Sequence, residues 1–207
     1  MRRWPASALV ALALALQFFL PEQASLGPSW LMPAVQALLL LPLVLSDPIR
    51  LHREAPAIRI VALASALGVL GVNALNLARL VFAISTGGKV SAHQMIVAAV
   101  VIELTNITAN AVLFWEIDRG GPFARNPEQA RDSEHPDLLF PQMQDVHDTA
   151  FLPCFTDYLF TAFTLATAFS PTDTMPVSPR AKMLFMLGGV VSVLSLTLVA
   201  ARAVNLF

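Results

Sequence analysis

Six apolar stretches constrain the fold of this chain more than any other feature of its sequence. A helix needs about 20 apolar residues to cross the hydrocarbon core of a bilayer. Only 13% of the residues are charged and 56% are hydrophobic, so a soluble domain of this size could not bury its apolar surface. We therefore predict an all-α, polytopic integral membrane helix bundle with about six membrane segments. The stretches cover residues 6–20, 29–46, 60–85, 95–115, 149–170 and 183–201.

The first stretch has two interpretations. Residues 6–20 form a short apolar run preceded by Arg2 and Arg3, which is the pattern of a secretory signal peptide. Glu22, however, lies where signal cleavage would need a small residue. We therefore favour a retained span over a cleaved leader.

The chain divides into three parts by composition. Residues 1–115 are expected to form a four-span N-terminal membrane bundle. Residues 116–148 are expected to form an acidic polar loop, since they hold 8 of the 14 acidic residues and 3 of the 13 basic ones. Gly120 and Pro122 near its start favour irregular structure. Residues 149–207 are expected to form a C-terminal helix pair with a pore-loop-like turn.

Lysine and arginine positions predict the orientation. Loops on the cytoplasmic side carry an excess of these residues. If all six stretches span and the N-terminus is cytoplasmic, nine basic residues lie inside and three outside. This predicts a bacterial inner (plasma) membrane protein whose N-terminus and acidic loop are cytoplasmic. The inside residues are Arg2, Arg3, Arg50, Arg53, Arg59, Arg119, Arg125, Arg131 and Arg202, and the outside residues are Lys89, Arg180 and Lys182.

Polar side chains recur within two of the predicted spans. Their spacing of three or four residues places each set near one helix face. The short connection between these spans predicts an antiparallel hairpin, in which Arg79 and Glu103 would pair because an unpaired charge in the membrane costs about 2.5 kcal/mol or more. Two interpretations stay open: an ion or proton site at Glu103, or polar contacts that hold the helices together. The residues are Asn73, Asn76, Arg79, Glu103, Asn106 and Asn110.

Small residues mark a packing face in the last span. Gly188 and Ser192 are four residues apart, and this spacing lets helices approach closely. The neighbour is either another helix of the same chain or a second copy in a homo-oligomer.

Residues 157–184 resemble the pore helix, filter and inner-helix start of tetrameric potassium channels. Thr167 falls where that family has the first threonine of the pair that ends its pore helix, and Asp173 and residues 175–178 fall where its Asp and Pro-Val-Ser/Thr follow. The resemblance implies a pore loop with a filter-like turn. That turn consists of Thr167, Ala168, Phe169, Ser170, Pro171, Thr172 and Asp173.

The turn departs from the channel family in its filter. Positions 168–172 hold no glycine, although a carbonyl ladder needs backbone angles that other residues resist. Pro171 fixes its own φ angle and restricts Ser170. We therefore expect no potassium selectivity.

The whole chain is also similar to a bacterial membrane family known as domain of unknown function 1345. The matching pieces are Tyr158 to Phe163, Pro171 to Asp173, Ser178 to Arg180, and Val204 with Asn205. This resemblance implies a bundle of membrane spans and supplies no activity.

The pore-loop interpretation conflicts with the charge count. A loop entering from the outer face would leave two basic residues inside and ten outside. The charge rule therefore favours a full crossing by residues 149–170 over a re-entrant loop.

Other chemistry finds little support. Asp145, His147 and Asp148 match no defined metal site, and the net charge of −1 argues against nucleic-acid binding. We expect no enzyme activity, no metal and no cofactor, the lipid bilayer as a partner, and a buried, inert thiol at Cys154. The predicted function is a channel-like or transport protein that passes cations or protons. The alternative is a non-transporting scaffold, assembly factor or sensor.

Overall fold

The computed structural model describes residues 4–19, 56–86, 91–122, 124–125, 135–144, 151–170 and 173–204, together with position 34. These residues are mostly helical. The helices are α1 (Trp4–Gln17), α2 (Pro56–Ser85), α3 (Ala92–Ile117), α4 (Phe155–Ala168) and α5 (Pro179–Val204). Strands β1 (Leu138–Leu139) and β2 (Met175–Pro176) pair antiparallel, and single 3-10 turns cover Asp118–Gly120 and Pro141–Gln144.

Among the described residues, three helices are long and apolar enough to cross a membrane, namely α2, α3 and α5. They contain the predicted stretches 60–85, 95–115 and 183–201, which are thereby confirmed as helices. Helix α1 covers most of stretch 6–20 with 14 residues. Stretch 29–46 lies outside the described residues, apart from position 34.

Helix α3 is the centre of the bundle. Its most apolar window is 72% buried, against 33% for the window in α5. It begins at a capping box in which Ser91 and Gln94 satisfy each other's backbone N–H groups. It ends before Arg119, Gly120 and Gly121, which all have positive φ angles. Such angles end a helix and favour glycine.

The neighbouring helices run antiparallel to α3. Arg59 at the start of α2 donates to the carbonyl of Glu116, whereas Asn73 further along contacts the carbonyl of Ile102. The start of α5 likewise lies beside the end of α3. We name the two ends of the bundle after residues of α3: the Ser91 end and the Asp118 end.

Helix α4 does not cross the bundle. Its 14 residues span about 21 Å, whereas a bilayer core measures about 30 Å. The helix starts at the Asp118 end, where the ring of Phe155 packs edge-on against Trp115. After it, Thr174 is hydrogen-bonded to Thr161 at 3.2 Å, and β2 pairs with β1. Residues 155–176, the re-entrant hairpin, therefore enter and leave at the same end.

Stretch 149–170 thus contains a helix of 14 residues, Phe155–Ala168, that is too short for the predicted crossing, while its interpretation as a pore loop stays a prediction. An apolar stretch predicts burial but not whether the helix continues through the bundle. Here Phe169 takes a left-handed φ of 53°, which ends α4 part-way.

Candidate functional site

Asp118 lies at the centre of a buried cluster at the end of α3. Its side chain is fully buried, and its carboxylate accepts three hydrogen bonds. One oxygen accepts from the backbone N–H groups of Asp137 (2.9 Å) and Leu138 (3.3 Å), and the other accepts from the hydroxyl of Tyr158 (2.7 Å). A single carboxylate thus joins α3, β1 and the re-entrant hairpin.

Arg125 neutralises this carboxylate from the other side. Its guanidinium donates to the carbonyls of Trp115 (2.8 Å) and Asp118 (2.5 Å), lies 3.8 Å from the Asp118 carboxylate, and stacks 5.0 Å from the ring centre of Tyr158. Burial lowers the pKa of Arg125, and the nearby Tyr158 and Asp118 oppose that shift. The charges are paired because an isolated buried charge is costly.

A second ion pair holds the start of α5 against β1 and the end of α3. The Arg180 guanidinium donates to both carboxylate oxygens of Asp137, at 2.6 and 2.5 Å, and to the carbonyl of Ile117 at 3.2 Å. Burial alone would raise the pKa of Asp137, but the hydrogen bonds from Arg180 and Ser178 and the charge of Arg180 hold it below its ordinary value. Such two-pronged pairs fix geometry as well as charge.

We call Asp118, Arg125, Asp137, Tyr158 and Arg180 the ionic cluster. The sequence predicted an acidic polar loop for residues 116–148 and did not predict that Asp118, Arg125 and Asp137 are buried. One signal was available: Asp118 lies three residues after the apolar stretch 95–115 and two residues before a pair of glycines. Among the described residues no group of His, Cys, Asp or Glu side chains is arranged to hold a metal, and Asp145, His147 and Asp148 lie outside those residues.

A second polar group lies deeper, between α3 and α5. The Asn106 amide donates to the carbonyl of Gly188 (3.1 Å) and to the hydroxyl of Ser192 (3.0 Å). The Asn110 amide donates to the side chain of Asn106 (3.1 Å). A Cβ atom on Gly188 would come within 2.7 Å of Asn110, so only glycine allows this approach. The predicted small-residue face thus packs against α3 of the same chain, one of the two alternatives.

Glu103 belongs to the same group. The hydroxyls of Ser192 and Ser195 lie beside its carboxyl group. We call Glu103, Asn106, Asn110, Ser192 and Ser195 the polar face. Neither carboxyl oxygen of Glu103 has a hydrogen-bond partner in the part of the chain that is described, so the structure does not show the predicted ion pair with Arg79.

The register of α2 against α3 explains this difference. The Asn73–Ile102 contact places Arg79 level with about position 96, roughly 10 Å along the axis from Glu103. The Arg79 side chain is also exposed on the outside of α2. By contrast, the Asn73 amide oxygen accepts a hydrogen bond from Thr105 at 3.0 Å, and Asn76 is buried.

The filter-like residues lie at the tip of the re-entrant hairpin. Thr167, Ala168, Phe169 and Ser170 are exposed on the outside of the chain, as is Asp173 nearer the return. Pro171 and Thr172 lie outside the described residues.

Cys154 was expected to be buried, and this is wrong. It is exposed at the N-terminus of α4, where its backbone N–H donates to Asp157 at 2.7 Å. A capping position must face the end of its helix, which here lies at the surface.

Comparison of the chain with protein-family models, with characterised proteins and with solved structures finds no match. The resemblances to potassium channels and to the domain of unknown function 1345 family therefore stay predictions.

Proposed function

We propose that the protein is an integral protein of a bacterial inner membrane with channel-like architecture, which passes protons or other cations without potassium selectivity. The re-entrant hairpin carries this proposal. Irregular backbone at membrane depth is tolerated only where protein buries it or where it lines a water-filled cavity. A half-length helix that ends in such backbone is a device of channels and transporters rather than of simple helix bundles.

The depth of the hairpin supports the proposal. Leu104 of α3 and Phe163 of α4 line the same apolar cavity, so the C-terminal part of α4 reaches the middle of α3, level with Glu103. The C-terminal end of a helix carries a partial negative charge, equivalent to about half an elementary charge. That end of α4 would therefore favour a cation over an anion.

The re-entrant hairpin also removes the conflict with the charge rule. Arg59, Arg125 and Arg180 lie at the Asp118 end, and the sequence that flanks this end adds seven further basic residues. Only Lys89 and Arg202 flank the Ser91 end. A ten-to-two split favours a cytoplasmic Asp118 end. The hairpin would then enter from the cytoplasm, and the N-terminus and the acidic loop would lie on the same side.

Cysteine labelling tests this orientation. His135 is exposed at the Asp118 end, so a His135→Cys change in a Cys154→Ala background gives a single accessible thiol. We expect an impermeant maleimide to label it in inverted membrane vesicles and not in intact cells. Efficient labelling of intact cells would contradict the orientation.

Flux through reconstituted protein tests the function. We expect proteoliposomes that contain the protein to dissipate an imposed proton gradient. Potassium and sodium ions should each reduce this proton flux only weakly, and to the same extent. Glu103→Gln should abolish most of the flux, whereas Asp157→Asn, a surface change in the same bundle, should leave it intact. A strong preference for potassium, or flux unaffected by Glu103→Gln, would contradict the proposal.

A scaffold, assembly factor or sensor is the second candidate. It is favoured by the hydrogen bonds Thr105–Asn73 and Asn106–Ser192, which join neighbouring helices as structural contacts. Absence of flux from protein with native thermal stability would favour this candidate.

A further inference from the structure

An apolar cavity separates α1 from α4 on the surface of α3. Both helices pack against α3, and the space between them has a volume of about 500 Å³. Binding sites for small molecules commonly measure about 300–1,000 Å³. The walls of the cavity include Leu12 of α1, Leu104 and Ile107 of α3, and Phe160 and Phe163 of α4. We call this cavity the lateral groove.

The lateral groove opens to the side of the bundle. Leu12 and Phe160 line it and yet are each 56% exposed, and Phe163 is 50% exposed. Large apolar side chains that face an open space lose dispersion contacts, which a ligand of matching shape restores. The groove therefore favours an apolar chain that enters from the side.

The polarity of the lateral groove differs between its middle and one end. Among the described residues that line it, only Thr108 and Thr156 are polar. The Thr108 hydroxyl donates to the carbonyl of Leu104 at 2.8 Å, so the middle of the groove presents apolar surface. Thr156 is exposed in the first turn of α4, at the Asp118 end. An amphipathic molecule fits a site with an apolar body and one polar end.

Helix α1 begins at the same end as this threonine. Leu9 packs against the apolar core that contains Tyr158, whereas Leu16 packs against the core that contains Met95, near the start of α3. Helix α1 therefore runs from the Asp118 end towards the Ser91 end. The chain segment that precedes α1 belongs to the polar end of the lateral groove.

The charges near this end favour an anion. In the sequence, Arg2 and Arg3 directly precede α1, and the first acidic residue of the chain is Glu22. The carboxylate of Asp157, next to Thr156 on α4, accepts a hydrogen bond from the backbone N–H of Cys154 at 2.7 Å. Two guanidinium groups beside an apolar groove are complementary to a phosphate group that carries an acyl chain.

We propose that the lateral groove binds an anionic phospholipid of the cytoplasmic leaflet, with one acyl chain between α1 and α4 and the phosphate group at Arg2 and Arg3. The inference rests on the proposed function in one respect, namely the membrane orientation that makes the Asp118 end cytoplasmic. Anionic lipids of that leaflet attract basic residues that lie at its surface.

A photoreactive residue in the lateral groove identifies the occupant. Phe160 is replaced by p-benzoylphenylalanine in the full-length protein, which is reconstituted into phosphatidylcholine vesicles that contain phosphatidylglycerol as the minor lipid. After illumination, mass spectrometry identifies the molecule attached to the probe. We expect phosphatidylglycerol to be enriched about fivefold or more over its share of the vesicles, because one basic residue near an anionic membrane surface contributes about that factor in affinity.

Matched controls make the test specific. The same probe at Met186, which is 58% exposed on α5, should attach the two lipids in the ratio of the vesicles. Arg2→Gln combined with Arg3→Gln should remove most of the enrichment at Phe160. Lys182→Gln, which removes a charge at the Asp118 end of α5, should leave the enrichment unchanged.

Three results would overturn the proposal. Attachment of the Phe160 probe to residues 29–46 would show that the chain itself fills the lateral groove, and attachment to a second copy would show an interface. Attachment of the two lipids in the ratio of the vesicles would show contact with bulk lipid only.

The outcome is separable from that of the flux experiment, because the photoreaction needs no ion gradient. Enrichment of phosphatidylglycerol without proton flux would support the lipid site and reject transport. Proton flux through a protein whose Phe160 probe shows no enrichment would support transport and reject the lipid site.

Discussion

The ionic cluster and the polar face both bury polar side chains against α3, but the interactions of these side chains differ. The ionic cluster pairs full charges, Arg125 with Asp118 and Arg180 with Asp137. The polar face uses amides, hydroxyls and a single carboxyl group. The stacked rings of Phe114 and Phe185, 4.5 Å apart, lie along α3 between Asn110 and Asp118.

Distance from water accounts for this contrast. At the end of the bundle, the charged groups lie close to solvent and are covered by the loop. The free energy that is lost when they are dehydrated is offset by the pairing of opposite charges. Further along α3 the loop cannot supply such charges, and the amides of Asn106 and Asn110 instead hydrogen-bond to neighbouring carbonyl, hydroxyl and amide oxygens. The polar contacts of α3 therefore change along its length, from charge pairs at the Asp118 end to hydrogen bonds of amides and hydroxyls at the polar face.

Removal of the Asp118 charge should cause the largest loss of unfolding free energy. Asp118→Asn keeps the shape but leaves Arg125 without its buried counter-charge, so we expect a loss of about 3–5 kcal/mol in unfolding free energy. Thermal unfolding in detergent measures it. The matched change Asp157→Asn, at the start of α4, should cost less than about 1 kcal/mol. Equal losses in the two variants would show that the ionic cluster does not hold the hairpin.

Packing at the polar face should give an intermediate effect. Gly188→Ala brings a Cβ atom within 2.7 Å of Asn110, and such overpacking costs about 1–3 kcal/mol. Gly189→Ala is the matched control, because the nearest side-chain atom is 3.8 Å away and alanine favours helices. It should be neutral or slightly stabilising in the same unfolding assay. A larger loss of unfolding free energy in Gly189→Ala than in Gly188→Ala would contradict the close contact between α3 and α5.

Acid should produce the smallest effect, confined to the ionic cluster. The pKa of Asp137 is lowered in the folded protein, so its pair with Arg180 contributes stability above the unfolded pKa of about 3.9. That contribution is lost as the pH falls through the folded pKa. We expect Arg180→Gln to lower the unfolding temperature modestly at neutral pH and to converge with the unchanged protein in acid. A difference that persists in acid would assign the effect to the contact with Ile117.

Several site features could be predicted from the sequence because they depend on spacing alone. The recurrence of Asn106 and Asn110 on one helix face, and the small residues Gly188 and Ser192, predict close packing, and the structure brings the two sets together. The pairing of Arg79 with Glu103 could not be predicted reliably. It depends on the register between two helices, and a shift of a few residues moves a side chain by several ångström.

Within the described part of the chain, local composition by itself determined the three helices that are long and apolar enough to cross a membrane, because the hydrophobicity of about 20 residues does not depend on tertiary contacts. Tertiary structure alone decided that α4 turns back. The contacts that return the chain join Asp118 to residues 19 to 40 positions further along. A local sequence pattern carries no information about such distant partners. Whether the Asp118 carboxylate is hydrated or buried therefore depends on the tertiary contacts with Asp137, Leu138 and Tyr158.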